Sequence, residues 1–154
     1  MEEALNLTEL IDNDVVKLDL KAISKREAIE ELTDLLINTG VIISKTEFVS
    51  DVFEREEQGE TGIGNGIAIP HGKSSSVIKT AIAIGRSKVD LEWETIDNQP
   101  VRNVILFAVR DQDKTNLHLK LLAKIAGSLA NDTVCQKLKY SKTPNDIIQA
   151  LENG

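Results

Sequence analysis

Val104-Ile105-Leu106-Phe107-Ala108-Val109 is apolar at every position and therefore has no polar face to turn toward water. A short run of this kind reads as a strand near the centre of a sheet that is covered on both faces. Working outward from it, Asp97-Asn98-Gln99-Pro100 supplies turn residues, and Thr80-Ala81-Ile82-Ala83-Ile84-Gly85 forms a second apolar strand before the turn. Val15-Val16-Lys17-Leu18-Asp19-Leu20 mixes β-branched residues with an apolar and polar alternation, which predicts a first strand.

Helices separate and follow these strands. Ser24 with Glu27, and Ser44 with Glu47, each form a capping box, in which hydroxyl and carboxylate satisfy backbone N–H groups at a helix start. The first helix carries Ala28, Ile29, Leu32, Leu35 and Leu36 on one stripe and stops at Gly40. The second runs through Val52 and Phe53 to Gly59, with Ile43 and Phe48 spaced as a hydrophobic staple. Beyond the central strand, Leu117 to Leu129 places His118, Leu121, Leu122, Ile125 and Leu129 on one face, with Asp113, Thr115 or Asn116 as its cap. A short helix around Val134 to Leu138 and a last one opened by Thr143-Pro144 complete the chain. This mixed order predicts an α/β fold, a three-layer α/β/α sandwich on a small mixed sheet, formed as one domain over 1–154.

Composition narrows the function. The 154 residues are 41% apolar and 28% charged, with a formal net charge of -7, which argues against a surface built on its own to bind nucleic acid or anionic lipid, and no apolar run approaches the length of a membrane span. Aromatics are only 3% and too scattered to stack bases. The lone Cys135 excludes an intramolecular disulfide framework, and its apolar helical setting assigns it to packing. The acidic Met-Glu-Glu-Ala start resembles no targeting segment, so a cytoplasmic location is expected.

From Gly59 to Gly72 the texture changes, with Gly59, Gly62, Gly64 and Gly66 making a permissive loop that feeds a short strand, Ile67-Ala68-Ile69, cut off by Pro70. Two nucleotide patterns suggest themselves here and both fail on spacing. Position 67 is Ile, where both the dinucleotide fingerprint from Gly62 and the P-loop ending at Gly72-Lys73-Ser74 require Gly. His71, placed at the strand's exit beside Lys73 and three serines, is a stronger candidate. A neutral imidazole, with an unperturbed pKa of about 6.5, has a ring nitrogen able to attack phosphorus without prior deprotonation. The plainer alternative, an ordinary surface histidine, stays open on these residues alone.

His118 opens an apolar stripe at a helix start, where free N–H groups and the helix dipole favour an anion; a satisfied, half-buried histidine is the bland alternative. Arg55, within Glu54-Arg55-Glu56-Glu57, reads as part of a solvated face unless the glycine loop folds back and brings it to His71. Two histidines so far apart form no local ligand motif, so no metal and no cofactor is expected.

Arg55-Glu56-Glu57-Gln58-Gly59-Glu60-Thr61-Gly62-Ile63-Gly64-Asn65-Gly66-Ile67-Ala68-Ile69-Pro70-His71-Gly72-Lys73 closely resembles the active-site signature of the mannitol/fructose family of enzyme IIA proteins, from the bacterial phosphoenolpyruvate-dependent sugar phosphotransferase system. The resemblance continues through Ala83 to Ser87, Asn98 to Val101 and His118 to Ala123, and so covers nearly the whole chain. It implies an α/β/α sandwich and a phosphotransferase. His71 would take a phosphoryl group on Nε2 from the carrier HPr and pass it to the cysteine of an enzyme IIB, itself feeding a membrane IIC. His118 matches the assisting histidine of the family and Arg55 its signature arginine. With no IIB or IIC segment in the sequence, these partners are expected on separate chains. Arg110-Asp111-Gln112-Asp113 departs from the Pro and acidic residue common after the central strand. Ser74 and Gly85-Arg86-Ser87 favour a fructose-type sugar carrier; a nitrogen-type regulator, switched by His71 phosphorylation, is the alternative. Serving two protein partners in turn predicts a shallow apolar ring around His71.

Overall fold

The apolar run lies inside a longer strand, Val101–Arg110, which pairs with Ala81–Leu91 in antiparallel register on one side and with two short parallel strands on the other. In chain order the strands are β1 (Val16–Leu20), β2 (Gly62–Gly64), β3 (Ile67–Ala68), β4 (His71–Ser74), β5 (Ala81–Leu91) and β6 (Val101–Arg110). The helices are α1 (Lys25–Asn38), α2 (Lys45–Glu56), α3 (Leu117–Leu129), α4 (Asp132–Tyr140) and α5 (Pro144–Asn153). The structure is a computed structural model describing residues 11, 13–111 and 117–153; the side chains of Asn13, Leu117 and His118 are outside that description.

The sheet order is β1-β5-β6-β3-β2, with β4 also on β6. Parallel β1–β5, β3–β6 and β4–β6 pairs and antiparallel β5–β6 and β2–β3 pairs make it mixed. Every residue of β6 from Asn103 to Val109 is buried, as an all-apolar central strand requires. Helices α1 and α2 pack together on one face and α3, α4 and α5 on the other, which is the expected α/β/α sandwich.

Local chemistry starts the helices where the sequence predicts. Ser24 and Ser44 Oγ each accept the N–H of the residue three positions on, at 3.2 Å. The carboxylates of these boxes reach further than the pattern implies: Glu27 accepts from the Ile23 N–H at 2.9 Å and Glu47 from the Ser75 hydroxyl at 2.6 Å. Ile29, Leu32 and Leu36 are fully buried, each contributing about 1.5–3 kcal/mol. Gly40 takes φ 80°, as a helix stop should.

Four expectations change. Ile43 is 71% exposed, so no staple forms with Phe48; its backbone N–H instead bonds the Ser76 carbonyl. Helix α2 ends at Glu56 rather than Gly59, because Glu56 turns inward to Thr61 and Lys25. Helix α4 starts earlier than predicted, capped by Asn131, and runs to Tyr140. The residues considered as caps for α3, Asp113, Thr115 and Asn116, lie outside the described residues.

The fourth change concerns the glycine stretch. It is a hairpin and not a loop: β2 and β3 pair around Gly64-Asn65-Gly66, which take φ of 93°, 56° and 74°. Past it, Pro70 interrupts the ladder because it has no N–H, yet its carbonyl accepts the Phe107 N–H at 2.9 Å and the register on β6 continues unchanged. His71 thus begins strand β4 instead of lying at a strand's exit.

Candidate active site

His71 is held by the break that Pro70 creates. Its backbone is locked to Phe107 by the parallel ladder, and its ring Nδ1 lies 3.2 Å from the Ile69 carbonyl, two residues back. A carbonyl only accepts, so this contact places the proton on Nδ1 and leaves the lone pair on Nε2. Gly72 lets the strand sit this close to α2: a Cβ there would meet Val52 Cγ2 at 2.7 Å and Phe48 Cε1 at 3.0 Å. Phe48 and Val52 are themselves fully buried, so the strand cannot be pushed aside without disturbing the core.

A shallow depression of ≈ 260 Å³ surrounds the imidazole, lined by Asp51, Glu54, Arg55, Gln58, His71 and Lys73. Arg55 therefore does share a surface with His71. One of its Nη1 hydrogens goes to the Gly59 carbonyl at 3.3 Å, which fixes the arginine and leaves other guanidinium donors available. Among the described residues, the lining of this depression is charged and polar and not the expected apolar ring, because the solvated face of α2 forms one side. His118 lies in the first turn of α3, and its side chain is outside the described residues.

Behind the depression a polar cluster fixes the end of α2. Lys25 Nζ bridges Glu56 at 2.7 Å and Glu94 at 2.8 Å. Thr61 donates to Glu56 at 2.8 Å and accepts from Trp93 Nε1 at 3.0 Å. Burial opposes the Lys25 charge, but the two carboxylates outweigh it and raise its pKa; the Lys25 contact in turn holds Glu94 below the usual carboxylate range. Sequence reading missed this cluster, since Lys25 and Glu94 are far apart in the chain; the only local sign was Thr61 inside the glycine stretch. Cys135 is buried, as its apolar setting predicts, and burial raises its thiol pKa. No group of three or more metal-ligating side chains occurs among the described residues.

The comparison with known proteins now decides the family. The model of the family described as phosphoenolpyruvate-dependent sugar phosphotransferase system, EIIA 2, matches residues 9–154. The chain belongs to this family. It is a family of phosphotransferase components. Among its relatives, the 2-O-alpha-mannosyl-D-glycerate-specific EIIABC component of Escherichia coli is 33% identical over 97% of this chain. A nitrogen regulatory protein of Klebsiella oxytoca is 31% identical over 97% of this chain and 92% of its own length. The chain spans only 23% of the length of the EIIABC relatives. Among solved structures, nitrogen regulatory protein IIA-Ntr from Neisseria meningitidis superimposes with a TM-score of 0.85 at 27% identity, covering 93% of this chain and 97% of that one. Enzyme IIAMTL, in its complex with phosphorylated enzyme IIBMTL from Escherichia coli, shares the fold with a TM-score of 0.77 at 22% identity, over 94% of this chain and 98% of that one. Among the described residues no helix is long and apolar enough to cross a membrane.

Proposed function

We propose that this chain is a cytoplasmic phosphocarrier of a sugar phosphotransferase system, with His71 as the residue phosphorylated. Nε2 attacks the phosphorus of phospho-HPr, forming one N–P bond as the carrier's N–P bond breaks. The cysteine thiolate of an enzyme IIB then forms an S–P bond as the bond to His71 breaks. The observation that carries this reading is the Nδ1 contact to the Ile69 carbonyl, which supports Nε2 as the attacking nitrogen, on an edge strand. Phosphoryl transfer of this kind depends on position and charge more than on covalent machinery. Arg55 and Lys73 supply positive charge beside the incoming phosphoryl oxygens. His118, at the first turn of α3, assists by hydrogen bonding near the phosphoryl group.

The test is intact mass after incubation with phosphoenolpyruvate, enzyme I and HPr, beside His71→Ala. A single acid-labile phosphoryl group, absent from the variant, is expected. Equal labelling of both proteins, or none in either, overturns the assignment.

A regulatory reading has one observation in its favour: nitrogen regulatory protein IIA-Ntr superimposes with a TM-score of 0.85, against 0.77 for enzyme IIAMTL. The two readings separate at the second step. Rapid transfer from labelled His71 to a fructose-type IIB cysteine supports transport, and a labelled protein that does not donate supports regulation.

A further inference from the structure

A second and larger concavity, ≈ 630 Å³, lies toward the other end of β6. That volume falls in the range of small-ligand sites, about 300–1,000 Å³. Four cationic side chains line it, Arg86, Lys88, Arg102 and Lys139, on a chain whose net charge is -7. Among the described residues the only carboxylate paired with any of them is Asp90, on Arg102 Nε at 2.7 Å. Neither the Lys88 nor the Lys139 ammonium has a hydrogen bond or ion pair among the described residues.

Arg86 and Asn103 stand directly opposite each other on β5 and β6, so their side chains leave the sheet on the same face. Arg86 Nη1 donates to the Leu138 and Lys139 carbonyls at the end of α4, at 3.0 and 3.1 Å, which holds the guanidinium in place and leaves its Nε and Nη2 hydrogens. Asn103 is 1% exposed, lines the same pocket, and makes no side-chain hydrogen bond to a described residue. Its amide can pair with a ligand that offers both an acceptor and a donor.

We propose that this pocket binds a phosphorylated small molecule. Its phosphate monoester lies on Lys88, Lys139 and the open edge of Arg86, and its body lies against Asn103 and the Tyr140 ring. A monoester with a second pKa of about 6 is a dianion near neutral pH, which matches two unpaired ammonium groups and a guanidinium better than a single carboxylate does. A hexose phosphate and a nucleoside monophosphate share this chemistry. The pocket is separate from the His71 depression, since Asn103 lies four positions along β6 from Phe107, the partner of His71, about 13 Å away. Binding here does not depend on phosphorylation of His71.

The test is an NMR titration at physiological salt with glucose 6-phosphate, adenosine 5′-monophosphate, inorganic phosphate and citrate, using the wild-type protein, Lys88→Ala/Lys139→Ala and Asn103→Leu. Saturable shifts at Asn65, Ser87 and Asn103 with one ester are expected, and the preferred ester identifies the source. The double variant removes two exposed side chains and should weaken binding about tenfold or more with an unchanged melting temperature. Asn103→Leu should weaken the ester and spare inorganic phosphate. The proposal is overturned if neither ester saturates, if the double variant binds as tightly, or if citrate or inorganic phosphate matches the esters.

Discussion

The depression at His71 and the pocket at Arg86 draw on the same central strand yet are built in opposite ways. His71 sits on β4, which among the described residues pairs only with β6, so one edge of its strand faces no neighbouring strand. Arg86 and Asn103 lie on two strands that are paired on both sides and roofed by the end of α4. An edge position suits the group we propose to meet two protein partners in turn, whereas a larger concavity between paired strands suits a small ligand. The glycine stretch serves both: its last residues position His71, and its hairpin turn, Asn65-Gly66, lines the pocket.

Variants that affect one region and spare the other sharpen this contrast. The largest effect is expected from His71→Ala, which should abolish phosphoryl acceptance by intact mass while leaving ester shifts at Asn103 untouched. Next, Arg55→Ala should slow labelling about 10²-fold through loss of a charge-assisted donor, read by quenched-flow transfer from phospho-HPr. His118→Ala should also slow transfer without preventing acceptance. Were Arg55→Ala to label at the wild-type rate, the arginine would be a brace for Gly59 and no more.

Stability changes should be smaller. Gly72→Ala inserts a Cβ against Val52 and Phe48 and should cost about 1–3 kcal/mol by urea unfolding, with amide shifts concentrated on β4 rather than around Arg86. The mildest effect is acid loss. Burial pushes the Glu31 carboxyl up, but hydrogen bonds from Lys17 and from the Lys21 and Ala22 N–H groups outweigh it and leave the pKa lowered. A carboxyl lowered on folding stabilises the protein above its unfolded value, about 4.3, and this contribution is lost as pH falls through the folded value. The urea midpoint should therefore drop below about pH 4, and drop less in Glu31→Gln. Lys17, raised by its hydrogen bond to Glu31, acts in the opposite direction: its contribution is complete below about pH 10.4 and is lost as pH rises through the folded value.

Much of this was legible in the chain itself. The apolar run at Val104–Val109, the serine caps and the stripe on α1 each depend on neighbours within a few positions, so their reading needs no tertiary information. The same holds for His71, flagged by Pro70 and Gly72 beside it. The hairpin at Gly62–Ala68 was not legible as strand, because short glycine-rich segments pair only when β6 offers an edge. The polar lining among the described residues has a related cause: which face of α2 borders His71 is set by how Gly72 packs on Phe48 and Val52.

Sequence alone determined most of the element types, the central strand, the candidate nucleophile and the family resemblance, because each is encoded in side-chain chemistry at short spacing. Tertiary structure decided what distant residues do together. It brought Arg55 to the depression of His71, joined Lys25, Glu56 and Glu94 behind it, and set Arg86 opposite Asn103 in a basic pocket on an acidic chain. Such encounters follow from strand register and layer packing, which no local pattern specifies.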